Sequence, residues 1–127
     1  MKRYRVLAVD DVPLNLMLVE RMLARFDFDI VKAGNGRIAL EEIAKEKPDL
    51  ILLDLLMPEI DGFEVLRRIK IDPETAGIKV IILSALNSNE DVVRGYQLGA
   101  DDFITKPIIL EKLVNCVATQ LKLIEKP

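Results

Sequence analysis

The chain has 127 residues, half of them hydrophobic and 31% charged, which fits one globular domain over residues 1–127 with a single well-buried core. A net charge of −3 leaves no electrostatic footprint for nucleic-acid binding, one cysteine excludes an internal disulfide or a cysteine zinc cluster, and the lack of histidine excludes every histidine-based triad or metal site. No apolar run nears the roughly 20 residues of a membrane span. The short one in "MKRYRVLAVDD" ends on two aspartates rather than a cleavage segment, so we expect a cytoplasmic protein with no membrane partner and no direct nucleic-acid contact.

Val6–Val9 is a short apolar run suited to a buried strand, and it ends at Asp10. Pro13 then suits the first turn of a helix whose apolar residues Leu14, Met17, Leu18, Met22 and Leu23 recur at helical spacing. "FDIVKA" is the second strand, and "NG" precedes a helix carrying Ile38, Leu40, Ile43 and Ala44 that stops before Pro48. "DLILLD" is the third strand. Asp61 followed by Glu64 has the spacing of a capping box and opens a helix with Val65, Leu66 and Ile69. After the turn "DPETAG", "IKVIILSA" is the fourth strand. Ser88 and Asp91 start a helix that Gly99 ends. "DDFITKP" contains a short fifth strand. Leu110, Leu113, Val114, Val117, Leu121 and Ile124 form a last helical stripe, in which Cys116 reads as a structural residue.

Five strands alternating with five helices predict an α/β fold, a doubly wound (βα)5 parallel sheet with helices on both faces. The near-continuous apolar character of strands one, three and four suits strands covered on both sides. The strand order 2-1-3-4-5 is one of two common outcomes for such a fold. Ligands of open parallel sheets bind at the carboxyl ends of the strands, beside the point where the order reverses. Here those ends carry Asp10 and Asp11, Asp54, Ser84, and Thr105 with Lys106. In the 2-1-3-4-5 order Asp10, Asp11 and Asp54 converge, flanked by Ser84 and Lys106. Three carboxylates repel one another unless a cation intervenes, and an all-oxygen donor set favours a hard cation such as Mg²⁺. Lysine and a serine hydroxyl complete a pattern suited to phosphoryl transfer, with Asp54 as nucleophile in a chain that has no histidine. Asp49, Asp61, Asp72, Asp101 and Asp102 read instead as caps, turns or surface residues, and Glu41, Glu42, Lys45, Glu46 and Lys47 as one solvated helix face.

The motifs "VDD" (9–11), "LLDLLMPEIDGFE" (52–64), "IILSA" (81–85) and "LGADDFITKP" (98–107) resemble, in order and spacing, the receiver domain of two-component response regulators. The resemblance covers the whole chain. It implies that Asp54 is the phospho-acceptor, that Asp10 and Asp11 hold Mg²⁺ with Asp11 the direct ligand, and that the Leu56 carbonyl is a further ligand. It implies that Ser84 turns towards the phosphoryl group, that Lys106 pairs with a phosphoryl oxygen, and that Lys106–Pro107 is a cis peptide. Phe103 stands at the switch aromatic, where tyrosine is common, and brings no hydroxyl. The implied partners are a histidine kinase or a histidine phosphotransfer protein upstream and a protein partner or output domain downstream. The implied role is acceptor and switch rather than an enzyme in its own right. "DVPLNL" and "IDPETAGIKVI" are similar to receivers of hybrid kinases and of cyclic-dinucleotide regulators.

Two other classes compete. A Mg²⁺-dependent phosphatase with an aspartate nucleophile wants a second Asp at position 56, which is Leu. A flavodoxin-like flavin binder wants a hydroxyl-rich loop after strand one, where "DDVPLN" stands. Leu56 and Leu86, each two residues after a site residue, offer nothing to orient an attacking water, so we expect slow loss of a phosphoryl group.

Overall fold

The computed structural model describes residues 3–123. Ten elements alternate: β1 Arg5–Val9, α1 Pro13–Met22, β2 Asp29–Ala33, α2 Gly36–Lys45, β3 Leu50–Leu53, α3 Gly62–Ile71, β4 Lys79–Ser84, α4 Asn89–Gln97, β5 Asp102–Thr105 and α5 Leu110–Gln120. The strands form one parallel sheet in the order β2-β1-β3-β4-β5, the expected doubly wound arrangement. Val9 pairs with both Ala33 and Leu53, and Ser84 pairs with Thr105, so the strands finish nearly level at their carboxyl ends.

Successive side chains of a strand point to opposite faces, and this sorts the core into two layers. Val6, Ala8, Leu50, Leu52, Ile81, Leu83 and Ile104 pack with Leu16, Val19 and Leu23 on the α1 side, and with Leu113, Val117 and Leu121 on the α5 side. Leu7, Val9, Ile51, Leu53, Val80 and Ile82 face Ala39 and Ile43 of α2 and Val65, Leu66 and Ile69 of α3. Helix α4 covers the same face but contributes a single buried residue, Gly95. A Cβ there would stand 2.8 Å from Ile82 Cδ1 and 3.3 Å from the Phe103 ring. The missing side chain is what lets α4 lie close to β4 and β5.

The α1 stripe differs from the expected one. Leu14, Met17 and Leu18 are exposed, and the helix buries Leu16 and Val19 instead. The first turn is apolar nearly all round, so helical spacing alone could not tell which stripe faces the sheet. Leu110 is likewise exposed and α5 stops at Gln120, while Ile124 lies outside the described residues.

The caps are largely those of the sequence. Asp61 accepts the amide of Glu64 at 2.9 Å, and Ser88 accepts that of Asp91 at 3.1 Å. The return half of the capping box at α3 is not made, because the Glu64 carboxylate is taken by Arg67 and Arg68, each at 2.7 Å. Those two guanidinium groups hold its carboxyl down at about 2. Asn35, unassigned by sequence, caps α2 by accepting from the Ile38 amide at 2.8 Å. Asp101 is more than a turn residue. Its carboxylate accepts the Val80 amide at 2.8 Å and ties β4 to the ammonium of Lys70.

Candidate functional site

Among the described residues three polar or charged ones are buried, Asp10, Asp54 and Ser84, and all three stand at the carboxyl edge of the sheet. The backbone puts them there with little freedom. Amides one residue beyond the strands continue the ladder, Asp10 onto Ala33 at 3.1 Å, Asp54 onto Val9 at 3.0 Å and Lys106 onto Ser84 at 2.8 Å. Strand alternation carries Asp10, Asp54 and Lys106 on the same side as Ala8, Leu52 and Ile104, towards α1 and α5. Ser84 follows Ile82 towards the face covered by α3 and α4.

The Lys106 ammonium stands between the two buried carboxylates, 2.9 Å from Asp10 Oδ2 and 3.6 Å from Asp54 Oδ2. Asp10 Oδ1 accepts the Val12 amide at 2.9 Å, and its Oδ2 also accepts the Asn15 side-chain amide at 3.1 Å. Asp54 Oδ1 accepts the Leu56 amide at 3.2 Å. Burial pushes the Asp54 carboxyl above its ordinary range and the negative charge of Asp10 adds to this. The Lys106 ammonium and the Leu56 and Leu55 amides oppose it without cancelling it. One ammonium shared by two buried carboxylates leaves the site short of positive charge.

Carboxylate oxygens of Asp10, Asp11 and Asp54 lie within 4.8 Å of one another. Asp11 is exposed, so the cluster opens to solvent on one side. Three convergent carboxylates with no nitrogen or sulfur donor suit a hard cation that keeps part of its water shell.

Ser84 is fully buried, and its Oγ accepts the Leu86 amide at 3.2 Å. Thr105, the other hydroxyl at this edge, is exposed. The Lys106–Pro107 peptide bond is cis. Leu56 is 51% exposed and Leu86 half-buried, and both line an open cleft beside Asp11 with Phe63 and Arg94. The guanidinium of Arg94 lies 4.0 Å over the Phe63 ring. Phe103 is half-buried against Gly95 of α4.

Sequence reasoning missed two contributors. Asn15 sits inside "DDVPLNL" without an assigned role, although its place in the first turn of α1 aims its side chain back towards Asp10. Asp102, read as a cap or surface residue, accepts the Tyr96 hydroxyl at 3.3 Å, the Phe103 amide at 2.8 Å and the Cys116 thiol at 3.1 Å. It thereby joins α4, β5 and α5.

The sequence profile described as the response regulator receiver domain matches residues 6–118. Over 104 residues the chain is 43% identical to the response regulator PleD of Caulobacter vibrioides, covering 82% of this chain but only 23% of that protein. Over 113 residues it is 36% identical to the protein PilH of Pseudomonas aeruginosa, covering 89% of this chain and 93% of PilH. Among solved structures it superposes with a TM-score of 0.87 on the signal receiver domain of a signal transduction histidine kinase from Syntrophus aciditrophicus. That match has 35% identity and covers 98% of this chain and 94% of the other. With its strand order, its acidic edge and these likenesses, the chain belongs to the receiver domains of response regulators in two-component signalling.

Proposed function

We propose that this receiver domain accepts a phosphoryl group on Asp54 from a phosphohistidine partner, with Mg²⁺ held by Asp10, Asp11, Asp54 and the Leu56 carbonyl. The observation that carries the reading is the buried pair of carboxylates sharing the Lys106 ammonium at the sheet edge.

Asp54 stands on the end of a strand whose four residues are all buried, so its carboxylate is held by the sheet rather than by a loop. One of its oxygens attacks phosphorus as the nitrogen–phosphorus bond of the donor breaks, and that electron pair returns to the donor imidazole. A Mg²⁺ ion held by these residues would neutralise phosphoryl charge. Lys106, already 3.6 Å from Asp54, takes one phosphoryl oxygen. The Ser84 hydroxyl turns to another, giving up the Leu86 amide. Positioning and charge matter here more than basicity.

The new charge is read on the surface of α4, β5 and α5. Release of the Leu86 amide loosens the β4–α4 loop, and Phe103 follows on the neighbouring strand beneath Gly95. Phenylalanine brings no hydroxyl to this readout. The polar tie across the surface runs instead through Asp102, with Tyr96 and Cys116. Phosphorylation switches such a surface between partners by changing the balance of two packings.

The test is phosphotransfer to the purified chain with Mg²⁺, from small phosphodonors such as acetyl phosphate and from candidate kinases with ATP. Asp54→Asn serves as control, read by intact mass and hydroxylamine lability. An acyl phosphate on the wild type alone is expected. No acyl phosphate from any donor overturns the reading.

A further inference from the structure

We infer that Asn15 is a positioning residue that frees Lys106 for the phosphoryl group, an inference that rests on the phospho-acceptor reading of Asp54. In the structure Lys106 belongs more to Asp10 than to Asp54, at 2.9 Å against 3.6 Å. To reach a phosphoryl oxygen it must loosen its hold on Asp10. That carboxylate is buried, and although its Oδ1 keeps the Val12 amide, leaving its Oδ2 without a donor is costly. Asn15 removes the difficulty, because its side-chain amide donates at 3.1 Å to Oδ2, the same oxygen that holds Lys106. When Lys106 leaves, that oxygen keeps a donor.

The position and the chemistry of Asn15 both suit this task. Val12, the residue before α1, makes no side-chain cap, so the helix entrance is held by Asp10, which accepts the Val12 amide with Oδ1 and the Asn15 amide with Oδ2. Helical side chains tilt towards the amino terminus, which lets a residue in the first turn reach back to the strand end. The Asn15 amide is neutral. It satisfies the oxygen without cancelling the negative charge that a cation needs, as an arginine or lysine here would. A leucine of similar size would leave Lys106 as the one donor on Oδ2 and hold it at Asp10.

Beryllofluoride, a stable phosphoryl analogue, tests this by calorimetric titration at saturating Mg²⁺. Asn15→Leu should weaken beryllofluoride binding by about ten- to a hundredfold, the scale of one hydrogen bond to a charged group. Asn15→Ala provides the same test if the leucine variant does not fold. In a Lys106→Met background the Asn15 substitution should have no effect, since its action runs through Lys106. Equal losses in both backgrounds would mean a merely structural asparagine and overturn the proposal. So would a matching loss of affinity for Mg²⁺ alone, or undiminished binding by Asn15→Leu. If the wild type itself fails to bind beryllofluoride with Mg²⁺, the phospho-acceptor reading falls, and this one with it.

Discussion

Replacing Gly62 with alanine would place a methyl group against the backbone that presents Asp54. The added Cβ would overlap the Asp54 carbonyl oxygen and stand 2.6 Å from Leu55 Cα and 2.9 Å from the Asp54 carbonyl carbon. All three obstacles are main-chain atoms, so no side chain can rotate away. Either the entrance of α3 or the end of β3 must shift by about 1 Å, and the Gly62 amide that donates to the Leu55 carbonyl at 3.1 Å is strained at the same time. Overpacking of this kind costs on the order of 3 kcal/mol, equivalent to about 10 °C in melting temperature for a domain of this size. If Asp54 accepts the phosphoryl group as proposed, a displacement of about 1 Å there should also slow transfer steeply. Thermal unfolding followed by circular dichroism measures the first effect. Gly77→Ala is the internal control, because a Cβ there meets nothing within 4 Å. If Gly62→Ala melts within about 3 °C of wild type, the close approach of α3 to the Asp54 backbone is not a constraint and the reasoning fails.

Leu56 and Leu86 flank the cleft beside Asp11 and offer no group to orient water, so polar replacements at both should shorten the lifetime of the acyl phosphate about tenfold or more; an unchanged decay rate refutes the shielding argument. Burial, with the Asp102 carboxylate beside it, pushes the Cys116 thiol up to about 11. The neutral thiol is then the favoured form, and alkylation at neutral pH should be much slower than for the unfolded chain, rising only as pH approaches that value. Rapid modification of the folded protein at pH 7 would contradict this. Gly95→Ala should crowd Ile82 and Phe103, with the better helix propensity of alanine offsetting part of the cost, for a net loss of about 0–1 kcal/mol in urea unfolding; a loss of about 3 kcal/mol or more would mean that α4 cannot adjust.

The sheet was readable because strands one, three and four are short apolar runs bounded by turn residues or a proline, and because parallel strands buried on both faces leave little ambiguity. The site was readable for a related reason. In a chain without histidine, a charged or hydroxyl residue at the end of an apolar run stands out, and four strand ends carry one. Orientation of the helices was less accessible. In α1 both candidate stripes are apolar, and only the packing of Leu16, Val19 and Leu23 against the sheet decides between them. Asn15 and Asp102 were missed because each shares its partner with residues on other elements. Lys106 lies 96 positions from Asp10, and Cys116 lies 14 from Asp102. Residue types common in caps and turns carry no local mark of such partnerships.

Helix α4 meets the sheet through a glycine and is otherwise held at its rim, by the Ser88 cap, the stack of Arg94 on Phe63 and the bond from Tyr96 to Asp102. Such ties are individually weak and each can break and re-form without exposing a large apolar area. Amides of α4 should therefore exchange with solvent deuterium well before those of β1, β3 or β4, through local opening that leaves the sheet intact. On this packing the sheet is a stiff base that keeps Asp54 in place, and displacement of α4 should demand little free energy. On the proposed reading, a phosphoryl charge added at Asp54 would act on this helix and leave the core packed.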